Sequence, residues 1–326
     1  MTALLPVDAR ALFERMRDRR ILVVGDLMID EWIWGAVTRI SPEAPVPVVA
    51  VEDHSFTLGG AGNVANNLRA LEANVTFAGT VGDDAFAGHV RELLRAERVD
   101  DAGVFGASGR PTTRKTRIVA HNQQVVRADW ESVEALPAHE RARIARFVEE
   151  AAARSDAVIL SDYAKGLFSR DIVEAAQACP LVLADPKPQN IGLFTGVTCV
   201  APNALEAAQI SGVRIVDTAS LEAAGTGILE RLECRYAVIT RGENGMALFG
   251  SDGTRMQVPS VARTVYDVSG AGDTVIAVLT LALAAGAGIE SAVQLANFAA
   301  GAVVEKLGTA TASAGEILAL VEHEHA

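Results

Sequence analysis

A glycine-rich turn that ends in an aspartate carries the clearest chemical signal in this chain. Residues 267–274 read DVSGAGDT and lead into an apolar run at 275–283. A turn of small residues lets the backbone approach an anion closely. The helix that the run predicts would direct its free N–H groups and positive dipole end toward a phosphate. Since a carboxylate repels phosphate, Asp273 is better suited to accept a proton from a hydroxyl that attacks phosphorus. The segment indicates phosphoryl transfer to an alcohol.

A second glycine cluster, GGAGN at 59–63, precedes another predicted helix and could close its backbone on a ligand. Gly60 also begins a GxGxxA pattern with Asp83 downstream, which resembles the fingerprint of an NAD-dependent oxidoreductase. That fingerprint needs a strand directly before it, whereas residues 53–58 are polar and poorly suited to a strand. We therefore favour a substrate-binding turn, with a purely structural turn and an NAD site as the alternatives.

Polar residues follow several predicted strands, and the carboxyl ends of parallel strands form the usual ligand crevice. Asp26 and Asp30 follow the first strand and could accept hydrogen bonds from sugar hydroxyls or cap a turn. Asn203 and Glu206 have the spacing of a capping box at a helix start. Near a nucleotide, Glu206 could instead hold a water molecule on Mg²⁺. The segment TRG at 240–242 follows another strand and could touch phosphate oxygens.

Composition and charge narrow the range of partners. The chain has 326 residues, 50% of them hydrophobic and 21% charged, with a formal net charge of −12. It holds no run of Lys or Arg, so we expect no nucleic-acid partner and no membrane partner. Cys179, Cys199 and Cys234 form no CxxC pair, which predicts reduced thiols and, without a signal-peptide pattern, a cytoplasmic location. The sequence also lacks the P-loop motif and the HRD and DFG motifs of protein kinases.

Short apolar runs alternate with helical patterns, which predicts an α/β fold with a mostly parallel central sheet and helices on both faces. The predicted strands lie at 21–24, 75–81, 157–160, 181–184, 197–200 and 237–240. The predicted helices lie at 11–20, 63–72, 86–97, 138–153, 171–178, 220–232, 273–285, 291–307 and 314–322, with a further one beginning after Asn203.

Two stretches interrupt the alternation. Residues 35–52 hold three prolines, which are compatible only with a loop or an edge strand, and residues 112–130 alternate like half-exposed antiparallel strands. Together they predict a small projecting sheet that would act as a lid. Because exposed strand edges favour pairing with another chain, we also expect a homodimer that joins two lids.

The two glycine segments, in this order and at this separation, resemble the paired signatures of the ribokinase-like carbohydrate kinases, the PfkB family. The resemblance covers about residues 21–320 and implies a single ribokinase-like kinase domain over 1–326, which uses ATP with Mg²⁺ to phosphorylate a sugar. Some members bind a monovalent cation near the position of Asp267, so such an ion is a further expectation. The implied roles are catalytic base for Asp273; anion hole for Gly270, Ala271 and Gly272; nucleotide binding for Asn203, Glu206, Thr240 and Gly242, with Glu206 holding Mg²⁺ through water; and sugar binding for Asp30, Gly59, Gly60 and Asn63.

Further segments resemble the heptose-phosphate kinases of lipopolysaccharide precursor synthesis, notably RISPEAPVPV at 39–48, SDYAKG at 161–166 and DPK at 185–187. This resemblance implies transfer of the γ-phosphoryl group of ATP to the anomeric hydroxyl of D-glycero-β-D-manno-heptose 7-phosphate, which gives the 1,7-bisphosphate. A hexose phosphate or another sugar is the alternative substrate. The 7-phosphate needs cations, and the residues expected to supply them are Lys187, Lys165 and Arg117, with Arg114 and Lys115 as further candidates.

Overall fold

Strands and helices alternate through the computed structural model, which describes residues 4–121, 123–262, 265–306 and 308–324. The strands within these residues are β1 (Arg20–Gly25), β2 (Leu27–Ile40), β3 (Pro47–Gly60), β4 (Asn74–Val81), β5 (Asp100–Gly106), β6 (Arg114–Ala120), β7 (Gln123–Trp130), β8 (Ala157–Ser161), β9 (Val182–Asp185), β10 (Cys199–Val200), β11 (Tyr236–Thr240), β12 (Met246–Gly250) and β13 (Arg255–Val258). The helices are α1 (Pro6–Met16), α2 (Ala61–Ala70), α3 (Ala85–Ala96), α4 (Ala138–Ala152), α5 (Arg170–Ala176), α6 (Ala204–Ser211), α7 (Thr218–Leu232), α8 (Ala271–Ala284), α9 (Ile289–Val304) and α10 (Ala314–Glu324).

Nine of the described strands form a central sheet in the order β13-β12-β11-β10-β9-β8-β1-β4-β5. The strands from β11 to β5 run parallel, and β12 and β13 add an antiparallel edge. In β1, Ile21 packs in the core on one face of the sheet and Leu22 in the core on the other. Both faces are therefore covered, which confirms the predicted fold class and accounts for the continuous apolar runs.

Several element boundaries differ from the prediction. The predicted strands omit β5, β12 and β13; β5 begins with two aspartates and contains two glycines, so its sequence is not typical of a strand. Helix α1 ends at Met16 rather than at residue 20, because Arg20 begins β1 and its N–H donates to Asp156 Oδ2 at 2.8 Å. Helix α9 ends at Val304, and position 307 of the predicted helix lies outside the described residues.

The remaining four described strands form a separate small sheet in the order β3-β2-β6-β7. This confirms the predicted small sheet, but its strands extend further, from Leu27 to Gly60, than the predicted segment at 35–52. Acidic residues in the first half of β2 hide its strand pattern, and they are accommodated because Asp30 and Glu31 form ion pairs with arginines of β6. Pro47 opens β3, an edge strand, where the missing N–H is tolerated.

A single residue, Asp26, separates β1 of the central sheet from β2 of the small sheet. Its backbone carbonyl accepts the N–H of Ala61 at 3.2 Å, which brings the start of α2 to the same junction. The start of α8 lies close by, since α2 and α8 pack together in the core. The site described below therefore lies where the small sheet joins the carboxyl edge of the central sheet. No helix among the described residues is long and apolar enough to cross a membrane.

Candidate active site

Asp273 lies in the first turn of α8 and is only 6% exposed. Its Oδ2 accepts a hydrogen bond from Asn63 Nδ2 at 2.8 Å, and its Oδ1 accepts one from the Tyr163 hydroxyl at 2.5 Å. Burial raises the pKa of Asp273 from 3.8 to about 6, against the opposite effect of these two donors and of Lys187. The carboxylate is therefore ionised at neutral pH and is still basic enough to accept a proton.

The turn before Asp273 depends on a glycine at position 270. Gly270 adopts a left-handed conformation with φ of 78°, and a Cβ atom there would lie 2.6 Å from Asn63 Nδ2. Asp267 holds the turn, since its Oδ1 accepts the N–H of Ser269 at 2.9 Å and its Oδ2 accepts the N–H of Gly308 at 3.0 Å. By contrast, Gly272 faces open space. At the start of α8, the N–H of Ala271 donates to the carbonyl of Val268 at 3.3 Å, so an anion next to Asp273 would be bound by the neighbouring amides of this turn.

A polar cleft of about 140 Å³ opens beside Asp273. Asn203 and Thr240 meet across the ends of β10 and β11 in a parallel bridge. Asn203 caps α6, and the capping box predicted from the sequence is present: Asn203 Oδ1 accepts the N–H of Glu206 at 3.0 Å, and Glu206 Oε2 accepts the N–H of Asn203 at 3.0 Å. The cleft is lined by Tyr163, Asp185, Lys187, Ala201, Asn203, Glu206, Thr240, Gly270, Gly272 and Asp273.

Charges in this cleft are tightly coupled. The ammonium of Lys187 lies 2.5 Å from Glu206 Oε1, and neighbouring carboxylates raise its pKa against the effect of burial. Burial also raises the pKa of Asp185 to about 8, with Lys187 opposing the shift. Among the described residues that line it, the cleft holds one cation and several acids, so a bound phosphate would need a divalent cation or a displaced carboxylate to balance its charge.

A larger apolar pocket of about 400 Å³ adjoins the polar cleft, and Thr240 and Gly272 line both. Its walls come from α8, α9, the turn after β11, the start of β12 and the loop after β13, and they include Gly242, Met246 and Val275. Mostly apolar concave pockets of this size are typical of small-molecule sites. A polar cleft thus adjoins a mostly apolar pocket, with Thr240 and Gly272 shared between them.

The glycine turn at 59–60 directly precedes α2, the helix that carries Asn63. It packs so closely on β2 that a Cβ on Gly59 would lie 2.5 Å from Asp30 Oδ2. Asp30 pairs with Arg117, whose guanidinium lies 4.9 Å from the ring of Trp32. Because the turn follows an antiparallel strand of the small sheet, it lacks the strand context of a dinucleotide fingerprint.

Asn63 contributes one further feature to this side of the site. It is fully buried, and its side-chain oxygen has no hydrogen-bond partner among the residues that the structure describes. A buried acceptor without a partner is costly, so a donor from a ligand would be favoured there. A sugar hydroxyl is such a donor.

The cations expected to hold a sugar phosphate are not gathered at one point. Lys187 lies in the polar cleft, Lys165 pairs with Glu131 at 2.8 Å, and Arg117 pairs with Asp30. Lys115 is shared between Asp129 at 3.0 Å and Glu131 at 3.5 Å. Arg114 lies between the rings of Phe86 and Trp130, 3.9 and 3.8 Å from their centroids. Arg114 also pairs with Glu31. All five cations named here therefore have a carboxylate partner.

Two residues of the site have no role in the sequence prediction. Tyr163 contacts Asp273, and Asp185 is buried beside Lys187. Both lie in segments that resemble the heptose-phosphate kinases, SDYAKG and DPK. The resemblance of these segments could therefore have identified both residues as candidates for the site. Neither a tyrosine in a turn nor an aspartate at a strand end identifies a role by its type alone.

Residues 18–314 match the pfkB family of carbohydrate kinases, and the chain belongs to this family. The fold agrees with it: Escherichia coli phosphofructokinase-2 in complex with potassium superposes with a TM-score of 0.79 at 19% identity, covering 95% of this chain and 100% of that one. Arabidopsis thaliana ribokinase, solved with ribose and ATP, gives a TM-score of 0.74 at 19% identity over 94% and 99% of the two chains. The protein is thus a carbohydrate kinase of the pfkB family with a ribokinase-like fold.

Among curated proteins, the chain is similar to the bifunctional protein HldE of Desulfatibacillum aliphaticivorans, with 47% identity over 310 residues. The match covers 94% of this chain and 63% of that protein, so the chain spans somewhat under two thirds of the relative's length.

Proposed function

We propose that the protein transfers the γ-phosphoryl group of ATP to the anomeric hydroxyl of D-glycero-β-D-manno-heptose 7-phosphate. The observation that carries the proposal is the position of Asp273, a buried carboxylate between the polar cleft and the glycine turn. The sugar identity is supported by the segments that resemble heptose-phosphate kinases and agrees with the similarity to HldE.

In the proposed reaction, Asp273 accepts the proton of the anomeric hydroxyl as its oxygen bonds to the γ-phosphorus. The bond from that phosphorus to the β-phosphate oxygen breaks, and ADP leaves with its electron pair. Gly270 and Gly272 would offer backbone amides to the phosphoryl oxygens, and Ala271 would do so only by exchanging its 3.3 Å hydrogen bond to the Val268 carbonyl. The side-chain oxygen of Asn63, which has no partner in the described part of the chain, would bind sugar hydroxyls together with Asp30, Gly59 and Gly60.

The nucleotide would place its base in the apolar pocket beside Thr240 and Gly242 and its phosphates in the polar cleft beside Asn203. Carboxylate oxygens are the ligands that Mg²⁺ prefers, usually one or two of them with the phosphates of the substrate. Glu206 fits this role, holding the ion through a water molecule, and the ion would neutralise phosphate charge in the acidic cleft. A monovalent cation near Asp267 is the further ion that we propose, from the family resemblance alone.

The 7-phosphate would bind to cations of the small sheet and of the turn after β8. Lys165 and Arg117 fit this role because each pairs with a carboxylate that a phosphate could replace. For Lys187, contact with the 7-phosphate stays a prediction, but its place in the polar cleft favours contact with the transferred phosphoryl group.

The experiment that tests the function measures ADP release with Mg²⁺ and ATP across a panel of sugars and sugar phosphates, with Asp273→Asn as the control. We expect turnover of the heptose 7-phosphate and a loss of about 10²–10⁴-fold in the variant, the usual contribution of a positioned base. Turnover of a hexose phosphate instead would support the kinase mechanism and contradict heptose 7-phosphate as the substrate. Full activity of Asp273→Asn would refute the role of the base.

We also propose a homodimer that pairs the small sheets of two chains, each covering the site of its subunit as a lid. Both edge strands carry exposed apolar residues, among them Val51 on β3 and Val126 on β7. Open, apolar strand edges favour pairing with another chain. Sedimentation at micromolar concentration tests this, and a monomer would contradict it.

A further inference from the structure

We propose that Tyr163 is a positioning residue whose hydroxyl orients the carboxylate of Asp273 toward the sugar hydroxyl and stabilises its anionic form. This inference rests on the proposed function, because it assigns a second residue to the base of the same reaction.

The contacts of Asp273 divide its two oxygens between two donors. The Tyr163 hydroxyl donates to Oδ1 at 2.5 Å, and Asn63 donates to Oδ2 at 2.8 Å. A carboxylate oxygen can accept two hydrogen bonds, so each oxygen keeps one site for the substrate. The two donors come from different elements, α2 and the turn after β8, and together they determine the rotation of the carboxylate plane.

The turn that carries Tyr163 is built around buried acids. Asp26 Oδ2 accepts the N–H groups of Tyr163 at 2.8 Å and Lys165 at 3.1 Å, and Asp162 Oδ1 accepts the N–H of Ala164 at 2.7 Å. Asp26 and Asp162 are 4% and 1% exposed. Ala164 has a positive φ of 56°, which is unfavourable for a residue with a Cβ. Such a turn persists only when its surroundings enforce it, and here they hold the phenol against Asp273.

The electrostatic setting makes the hydroxyl a donor. Burial of its hydroxyl and the nearby charges of Asp273 and Asp185 raise the pKa of Tyr163 well above 10, so the phenol stays protonated. Lys187 favours the anion of Asp273, while Asp30 and Asp185 oppose it. Among these neighbours, Tyr163 is a neutral group that supports the anion without adding charge to the cleft.

The test compares the wild type with Tyr163→Phe, which removes the hydroxyl and keeps the ring that lies 5.5 Å from the Lys187 ammonium. A hydrogen bond to a charged group corresponds to about one to two pH units in the pKa of that group. We therefore expect the acidic limb of the kcat/KM profile of Tyr163→Phe to shift to higher pH by about one to two units. At pH 7, kcat/KM should be about 2- to 10-fold lower than in the wild type, and this difference should disappear by pH 9. Tyr236→Phe removes a phenol hydroxyl from β11 and serves as the matched control.

A second readout needs no substrate. Carbon-13 NMR of protein labelled at the aspartate carboxyl carbon follows the titration of Asp273, whose resonance is absent from Asp273→Asn. Its pKa should be higher in Tyr163→Phe by about one to two units and unchanged in Tyr236→Phe. An unmoved titration, or a loss of activity that is equal at every pH, would overturn the inference. If the wild type turns over none of the sugars, the proposed function fails, while the titration still decides the role of Tyr163.

Discussion

The two glycines flank Ala271, and replacing each by alanine should affect the stability and the activity of the protein differently. Gly270→Ala puts a side chain on a backbone with φ of 78° and sets its Cβ 2.6 Å from Asn63 Nδ2. The left-handed conformation alone costs about 1–2 kcal/mol for a residue with a Cβ. A Cβ in Gly272→Ala meets no atom of the described residues within 4 Å apart from its chain neighbours and its own helix backbone, and alanine is favoured over glycine in a helix by about 0.5–1 kcal/mol.

The expected effects follow from these contacts. In Gly270→Ala, the melting temperature should fall by about 2–4 °C. Displacement of Asn63 removes a hydrogen bond to a charged group, which should raise the pKa of Asp273 by about one to two units and lower kcat/KM at pH 7 by about 2- to 10-fold. In Gly272→Ala, the melting temperature should stay the same or rise. Its methyl group enters the cleft where phosphate oxygens would lie, so kcat/KM for ATP should fall on the order of 10- to 100-fold.

Calorimetry and a coupled assay of ADP release measure the two effects separately. If Gly272→Ala destabilises the protein as much as Gly270→Ala, the methyl group at position 272 does not enter open space. If Gly270→Ala keeps full activity, the contact between Asn63 and Asp273 does not support the base. Either result would refute the reasoning from the turn.

Three further predictions concern charge. Only the anion of Asp273 can accept a proton, and its pKa is raised to about 6. The kcat/KM of the wild type should therefore fall as the pH drops through 6, and an acidic limb of this profile near pH 4 would contradict the prediction. Lys187→Met should lower kcat on the order of 10- to 100-fold with little change in KM for the sugar phosphate if its cation contacts the transferred group; a large rise in KM would instead support the 7-phosphate contact. The pKa of Asp185 is raised from 3.8 to about 8, so its folded state favours the neutral acid, and stability should fall as the pH rises from 3.8 through 8. Asp185→Asn should therefore raise the melting temperature at pH 8 and not at pH 4, and a lower value at pH 8 would contradict the sign.

The parts of the fold that the sequence predicts well are those that one physical rule determines. Strands such as β1 and β8 are buried on both faces, so their residues are apolar without interruption. β2 follows no such rule, because its Asp30 and Glu31 are stabilised by arginines far along the chain. Partners of this kind are known only once the strands are paired.

The residues of the site likewise include some that a local sequence pattern predicts and some that depend on distant contacts. The glycine turn before Asp273 has a local signature, since small residues and a following helix are consecutive in the sequence. The contact of Asn63 with Asp273 joins residues that the sequence analysis assigned to different roles, sugar binding and proton transfer. Tyr163 has no local signature for its contact with Asp273, since that contact depends on the bend at Ala164 and on the buried Asp26.

The hydrogen bonds of Asp273 also bear on how the chain folds. Its partner Tyr163 is 110 residues away and Asn63 is 210 residues away, so the surroundings of the base form only when distant parts of the chain have met. Contacts of such large sequence separation form slowly, because closing long loops costs chain entropy. A partly folded chain can hold the helix α8 and still lack a prepared base. Recovery of activity after dilution from denaturant should therefore follow the slowest structural phase of refolding, and helix formation should precede it.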